Sequence, residues 1–133
     1  MTIYTKIYQQ LETLGVVAVL GAGVGNSVST VVGYKNLSFE RLPATIEGSQ
    51  RFRLACYMTQ RGMVNIEQAM AVLVYPDAKT AEALSLQQAK PALFQEVYPD
   101  RGAVNVALKR QLNGYLSYWL RTCIDQRHRF GIR

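Results

Sequence analysis

Apolar and polar residues alternate along the first part of the chain with the period of a helix. Ile3, Ile7, Leu11 and Leu14 recur three or four positions apart, so they would share one face of an amphipathic helix. Gly15 follows at once, and glycine often ends a helix because it adopts the left-handed conformation without a steric penalty. The pattern therefore predicts an N-terminal helix that ends at Gly15.

The same periodicity is sustained for longer near the C-terminus, where it predicts a second amphipathic helix. The apolar positions on its buried face are Leu108, Leu112, Tyr115, Leu116, Trp119, Leu120, Cys123 and Ile124. The positions on the opposite face are polar, namely Arg110, Asn113, Ser117, Arg121 and Asp125. We expect the large side chain of Trp119 to anchor this helix in the core.

Between the two helices the period falls to two, which is typical of strands with one buried face. One such pattern covers residues 37–41, and a second covers residues 51–59. Residues 69–75 are nearly all apolar, which favours a central strand. Pro76–Lys79 has the composition of a tight turn, so residues 80–86 would return as the partner strand.

Strands joined by short turns predict an antiparallel meander. We expect about four strands, with another turn at residues 60–62 and a loop carrying Pro91 and Pro99 before the last helix. The order of helix, strands and helix predicts a single α+β domain over residues 1–133, in which the long C-terminal helix packs on the sheet.

A glycine-rich segment at residues 15–33 lies within the longest charge-free stretch, the 22 residues between Glu12 and Lys35. Its glycines at positions 21, 23 and 25 do not match the GxGxxG spacing of a dinucleotide-binding turn, because the third comes one residue early. The segment is too rich in glycine and polar residues for a membrane span, and it lacks the charge pattern of a signal peptide. We interpret it as an apolar insertion that forms a loop and offers a surface to a partner.

The composition is that of an ordinary globular domain, since 49% of the residues are hydrophobic and 18% are charged. The formal net charge is +6, and most of the surplus lies in the last quarter of the chain, including a basic tail at residues 126–133. Cys56 and Cys123 form no CxxC motif, and with one histidine they cannot make a four-ligand zinc site. Free thiols favour a reducing cytoplasm.

The basic surplus indicates one candidate binding surface. Arg51 and Arg53 share a face of a predicted strand, with Tyr57 in line. Arginine and tyrosine side chains together can grip and stack on a single-stranded nucleic acid, and arginines also suit an acidic partner. The full candidate set is Arg51, Arg53, Tyr57, Arg61, Arg110, Arg121, Arg127, His128 and Arg129. The alternative interpretation is that these residues keep a small domain soluble.

Several short segments, taken in their order and spacing, resemble the YqiB-like family of small uncharacterised bacterial proteins. They are Met70–Tyr75 before Asp77-Ala78, Ala81–Ala83 before Gln87-Gln88, Tyr98-Pro99, Gln111–Asn113, Tyr115-Leu116, Trp119-Leu120 and Cys123. The resemblance extends over residues 40–125 and leaves out the glycine-rich segment. It implies the α+β fold and brings no established activity with it.

The polar residues that fit this resemblance are Asp77, Glu82, Gln111 and Asn113. Asp77 and Glu82 would be the acid and base of an enzyme, but an aspartate in a tight turn is more often there for local hydrogen bonding. Gln111 and Asn113 would bridge the last helix to a loop. We therefore predict structural roles for all four and assign no catalytic residue, metal ligand or cofactor.

The sequence predicts a small, cytoplasmic, non-catalytic binding protein. It would contact another protein as a regulator, an adaptor or an inhibitor, or it would self-associate, and a phage or mobile element is one conceivable source. The alternative is a protein that binds RNA or single-stranded DNA through its arginine-rich face. Neither hypothesis involves a membrane or a metal ion.

Overall fold

The computed structural model describes residues 1–99 and 103–131. Its helices are α1 (Ile3–Leu14), α2 (Val16–Gly21) and α3 (Val106–Asp125). Its strands are β1 (Asn26–Ser29), β2 (Leu37–Leu42), β3 (Gln50–Gln60), β4 (Met63–Tyr75), β5 (Thr80–Ala89) and β6 (Ala92–Glu96).

The six strands form one antiparallel sheet in which each strand pairs with its neighbours in sequence, so the predicted meander is confirmed. The prediction of about four strands is too low. The strand β6 occupies most of the stretch expected to be a loop, and β1 is a short edge strand after the glycines. Both are four or five residues long, so their own sequences carry little periodicity, and pairing with β2 and β5 makes them strands.

The two long helices lie where the apolar spacing places them. In α1 the side chain of Thr2 accepts a hydrogen bond from the Thr5 amide, and Gly15 ends the helix at φ 88°. The polar side of α3 differs from the prediction, because Asn113 and Ser117 are buried. The Ser117 hydroxyl donates to Gln10 Oε1 at 3.0 Å, so a polar pair joins α1 to α3. Trp119 is half-buried at the margin of the core instead of anchoring it.

The first part of the glycine-rich segment is a short helix, not a loop, and this corrects the prediction. Val16, Val19 and Leu20 of α2 are fully buried, so they belong to the core and are not available to a partner. The end of α2 is held by Arg41, whose guanidinium donates to the carbonyls of Leu20 and Val24. Arg41 of β2 therefore adds a partner to one carbonyl at the end of α2, that of Leu20, and to the Val24 carbonyl just beyond the helix.

The predicted basic tail is also packed in place. Residues 126–131 follow α3 and return to the end of α1, and we call them the C-terminal segment. Phe130 is buried, with its ring centroid 6.1 Å from that of Phe39. Residues 132 and 133 of the predicted tail lie outside the described residues.

The core lies between the helices and one face of the sheet. A single apolar cluster takes residues from nearly every element, including Ile7, Val16, Phe52, Met70 and Leu116. Residues that alternate with these along β3 and β4 lie on the opposite face, which turns away from α1 and α3. This arrangement leaves one face of the sheet uncovered by helices.

Candidate functional site

The hairpin between β3 and β4 extends beyond the rest of the sheet. Pairing between β2 and β3 stops at Ala55, and pairing between β4 and β5 begins at Gln68. Residues 57–66 pair only with each other and form what we call the arm. At its tip, Arg61 and Gly62 have φ of 53° and 77°, as a two-residue type I′ turn requires.

The base of the arm carries a β-bulge. Cys56 lies opposite Gln68, but Tyr57 lies opposite Ile66, so Glu67 is an extra residue on β4. The Glu67 carboxylate forms an ion pair with the Lys35 ammonium, which connects the base of the arm to the loop between β1 and β2.

Apolar side chains are exposed on and beside the arm. Met63 is 65% exposed, Val64 is 68% exposed, and Tyr57 and nearby Val28 are also exposed. Val28, Tyr57 and Val64 line a common groove of about 360 Å³. We call Val28, Tyr57, Met63 and Val64 the arm surface. The sequence analysis did not predict this surface, although strand-like residues on both sides of the turn at residues 60–62 are a signal for a long hairpin.

Two of the arginines predicted to bind a nucleic acid, Arg51 and Arg53, belong to β3 and lie together on the open sheet face. Both interact there with other groups of the protein. Arg51 Nε donates to the Pro43 carbonyl at 2.7 Å, and Arg53 lies 3.4 Å from the Glu40 carboxylate. Arg53 Nε itself is buried and has no hydrogen-bond partner among the described residues. A cleft of about 340 Å³ on this face is lined by Arg51 and by Glu96, so its charge is mixed.

The remaining predicted arginines are scattered over other parts of the surface. Arg61 lies at the tip of the arm, whereas Arg110 and Arg121 are exposed on α3, on the other side of the sheet from Arg51. Arg127 and Arg129 are exposed on the C-terminal segment. The nine predicted residues therefore do not form one continuous basic surface.

His128 lies in the interior, not on a basic surface. It is 1% exposed, and its Nδ1 atom lies 2.9 Å from Ser29 Oγ, which also accepts the amide N–H of Arg129 at 3.0 Å. Burial lowers the pKa of His128, and a hydrogen bond with the Lys35 backbone has a smaller effect on the pKa in the opposite direction. The neutral ring thus fastens the C-terminal segment to β1.

The four polar residues singled out by the resemblance lie in different settings. Asp77 is exposed in the turn between β4 and β5, and Gln111 is exposed on α3. Glu82 accepts a hydrogen bond from the Tyr98 hydroxyl at 2.8 Å and lies 3.6 Å from Lys109 Nζ. Its carboxylate is thus held by protein groups.

Asn113 connects α3 to a strand, where the sequence suggested a loop. Its Oδ1 accepts the amide N–H of Ala83 at 2.8 Å, and its Nδ2 donates to the Lys109 carbonyl at 2.8 Å. Pairing of β5 with β6 begins only at Ser85, so the helix side chain satisfies an N–H that no strand reaches.

Two classes of site are absent from the described part of the chain. Within residues 1–99 and 103–131, no three His, Cys, Asp or Glu side chains are grouped so that they could hold a metal ion. None of the helices in those ranges combines the length and the apolar character that crossing a membrane requires.

Comparison with known proteins places the chain in a family but transfers no activity to it. No curated protein and no solved structure matches the chain. A family model described as "Protein of unknown function (DUF1249)" matches residues 40–129, from β2 to the C-terminal segment. The match covers more than half of the 133 residues, and so the chain belongs to this family of unknown function.

Proposed function

We propose that the protein is a small non-catalytic binding protein that acts through protein contact, with the arm surface as its contact region. The observation that carries the proposal is the exposure of Met63 and Val64 on a hairpin that neither β2 nor β5 supports. A two-stranded hairpin is only marginally stable by itself in water, so an arm with exposed apolar side chains gains stability when a partner covers it.

The arm also offers free backbone groups. Residues 57–60 of β3 lack a partner on the side of β2, and residues 63–67 of β4 lack one on the side of β5. An extended segment of another protein can pair with such an edge, and exposed side chains beside it supply specificity. A regulator, an adaptor or an inhibitor would all use this mode of contact. Free Cys56 and Cys123 agree with a location in the cytoplasm, which is part of the proposal.

The test is capture of partners with a variant that changes only the arm surface. The double variant Met63→Ser, Val64→Ser should lose specific partners from a lysate of the native host treated with nuclease. The matched control is Val106→Ser on α3, because Val106 is 64% exposed, nearly as much as Val64, but lies on another element. Equal capture by the double variant and the wild type would refute the arm as the contact region.

Self-association through the arm is tested by analytical ultracentrifugation of the same three proteins. If the partner is a second copy, the wild type and Val106→Ser should show a concentration-dependent dimer and the double variant should not. A monomer for all three proteins, together with failure to capture any partner, would contradict the proposal as a whole.

Binding to RNA or single-stranded DNA is the second candidate. One observation favours it, since exposed Arg121 and Arg127 form no ion pair with any described residue. Phosphate contacts would make binding to short oligonucleotides weaken steeply as salt is added. The variant Arg121→Ala, Arg127→Ala should then reduce both the affinity and its salt dependence. Absence of binding to any oligonucleotide at low salt would eliminate this candidate.

A further inference from the structure

A second cavity lies between the loop that joins β1 to β2 and the C-terminal half of α3, next to the groove of the arm surface, with which it shares Lys35 and Asn36. It has a volume of about 320 Å³, and Tyr34 and Trp119 contribute aromatic side chains to its lining. Leu37 and Cys123, which are buried, also line it. Its size lies at the lower end of the range of small-molecule sites, which begins at about 300 Å³.

The charges that line this cavity cancel. Lys35 and Glu67 form an ion pair, and His128 is kept neutral by burial, which lowers its pKa. The cavity offers no free charge of opposite sign to a charged ligand. Transfer of such a ligand from water would therefore cost free energy, because an unpaired charge would be buried. The cavity therefore favours an uncharged molecule.

Not every polar side chain of the lining has a hydrogen-bond partner within the described residues. The amides of Asn36 and Gln126 and the indole N–H of Trp119 form no hydrogen bond with the described residues. By contrast, the interior amide of Asn113 forms two. Each free amide presents a donor and an acceptor, which complements the edge of a ring that also alternates donors and acceptors.

We propose that this cavity binds an uncharged planar heteroaromatic molecule of the nucleobase or nucleoside class. Trp119 and Tyr34 supply surfaces for stacking, and Asn36 and Gln126 supply hydrogen bonds to the edge of the ring. Proteins that read unpaired bases combine these same two contacts, stacking on aromatic side chains and hydrogen bonding along the base edge. The inference does not depend on the arm surface, because none of Val28, Tyr57, Met63 and Val64 lines the cavity.

The chain offers a direct readout, because Trp119 is its single tryptophan. Adenosine, inosine, cytidine and uridine are titrated into the full chain up to about 5 mM, a range that detects even millimolar dissociation constants. At least one nucleoside should quench the Trp119 fluorescence in a saturable manner. Quenching of free N-acetyltryptophanamide corrects for collisions and for absorption by the ligand. If none of the four gives saturable quenching beyond this correction, the proposal is wrong.

Variants then locate the bound ring. Tyr34→Ala and Gln126→Ala alter exposed or half-exposed side chains, and each should weaken binding by roughly threefold to tenfold. The matched control is Tyr118→Ala, because Tyr118 is 69% exposed, precedes Trp119 and lies outside the cavity. Thermal unfolding of each variant confirms that it is folded. Equal affinity of all four proteins for the nucleoside would overturn the assignment to this cavity.

A comparison of ligands tests the neutrality of the site. The 5′-monophosphate of the best nucleoside should bind no more tightly than the nucleoside itself, and salt should have little effect. Tighter and salt-sensitive binding of the monophosphate would show an anion site and contradict the inference.

Discussion

The amide N–H of Phe130 donates a hydrogen bond of 2.8 Å to the carbonyl oxygen of Leu14, 116 positions earlier in the chain. Leu14 is the last residue of α1, so its carbonyl has no partner within the helix. The C-terminal segment satisfies it and at the same time places the Phe130 ring in the core. The two ends of the chain are therefore joined at the junction between α1 and α2.

Gly15 is a residue of this junction at which substitution should be poorly tolerated. A Cβ atom at position 15 would lie 2.0 Å from the Phe130 carbonyl oxygen, and φ is 88°. We expect Gly15→Ala to lower the free energy of unfolding by about 2 kcal/mol or more, since both the clash and the left-handed backbone oppose it. Urea denaturation measures the change. The matched control is Gly21→Ala, because a Cβ there meets no atom within 4 Å; if both variants are equally stable, the junction is not packed as described.

The pH dependence of stability should contain a contribution from His128. Burial lowers the pKa of the folded group below its ordinary value of 6.5, so the unfolded chain takes up a proton first as the pH falls. The stabilising contribution is complete above 6.5 and is lost as the pH falls from there through the folded pKa.

Unfolding in urea across this range, for the wild type and His128→Asn, isolates the effect. The difference in stability between the two proteins should shrink toward acidic pH, because the variant has no other histidine to titrate. An NMR titration of the single imidazole gives the folded pKa directly. A folded pKa at or above 6.5 would contradict the buried, neutral state.

Asn113 should contribute to stability through its hydrogen bond with the Ala83 amide of β5. Asn113→Ala leaves the Ala83 N–H without a partner, and we expect a loss of about 1–3 kcal/mol in the free energy of unfolding. Gln111→Ala, on the exposed side of the same helix, should change it by less than about 0.5 kcal/mol. Hydrogen exchange at Ala83 provides a second measurement, since its protection should fall in the Asn113 variant alone.

The arm surface should contribute little to the stability of the isolated chain. Met63→Ser and Val64→Ser should each change the free energy of unfolding by less than about 0.5 kcal/mol, because both side chains are mostly exposed. Val72→Ala, on the same strand but fully buried, should cost about 2 kcal/mol. A large loss in the arm variants would show that these side chains support the fold itself.

Much of the fold was predictable because its signals are local and repeated. The apolar spacing of α1 and α3, the alternation along β3 and the composition of the turn at Pro76–Lys79 each repeat one physical preference over several residues. Short elements lack this repetition. The six residues of α2 include three valines and end in glycine, so local preference opposes a helix that the core and Arg41 stabilise.

The candidate surfaces likewise depend partly on local sequence patterns and partly on tertiary contacts. The sequence alone determined an α+β meander closed by two amphipathic helices, because burial of periodic apolar residues leaves few other arrangements. Only the tertiary structure decided that His128 and Phe130 are interior, that Arg51 and Arg121 lie on different sides of the sheet, and that Met63 and Val64 are exposed. These outcomes depend on which distant residues meet, and contacts such as that of Ser29 with His128 leave no periodic signal in the chain.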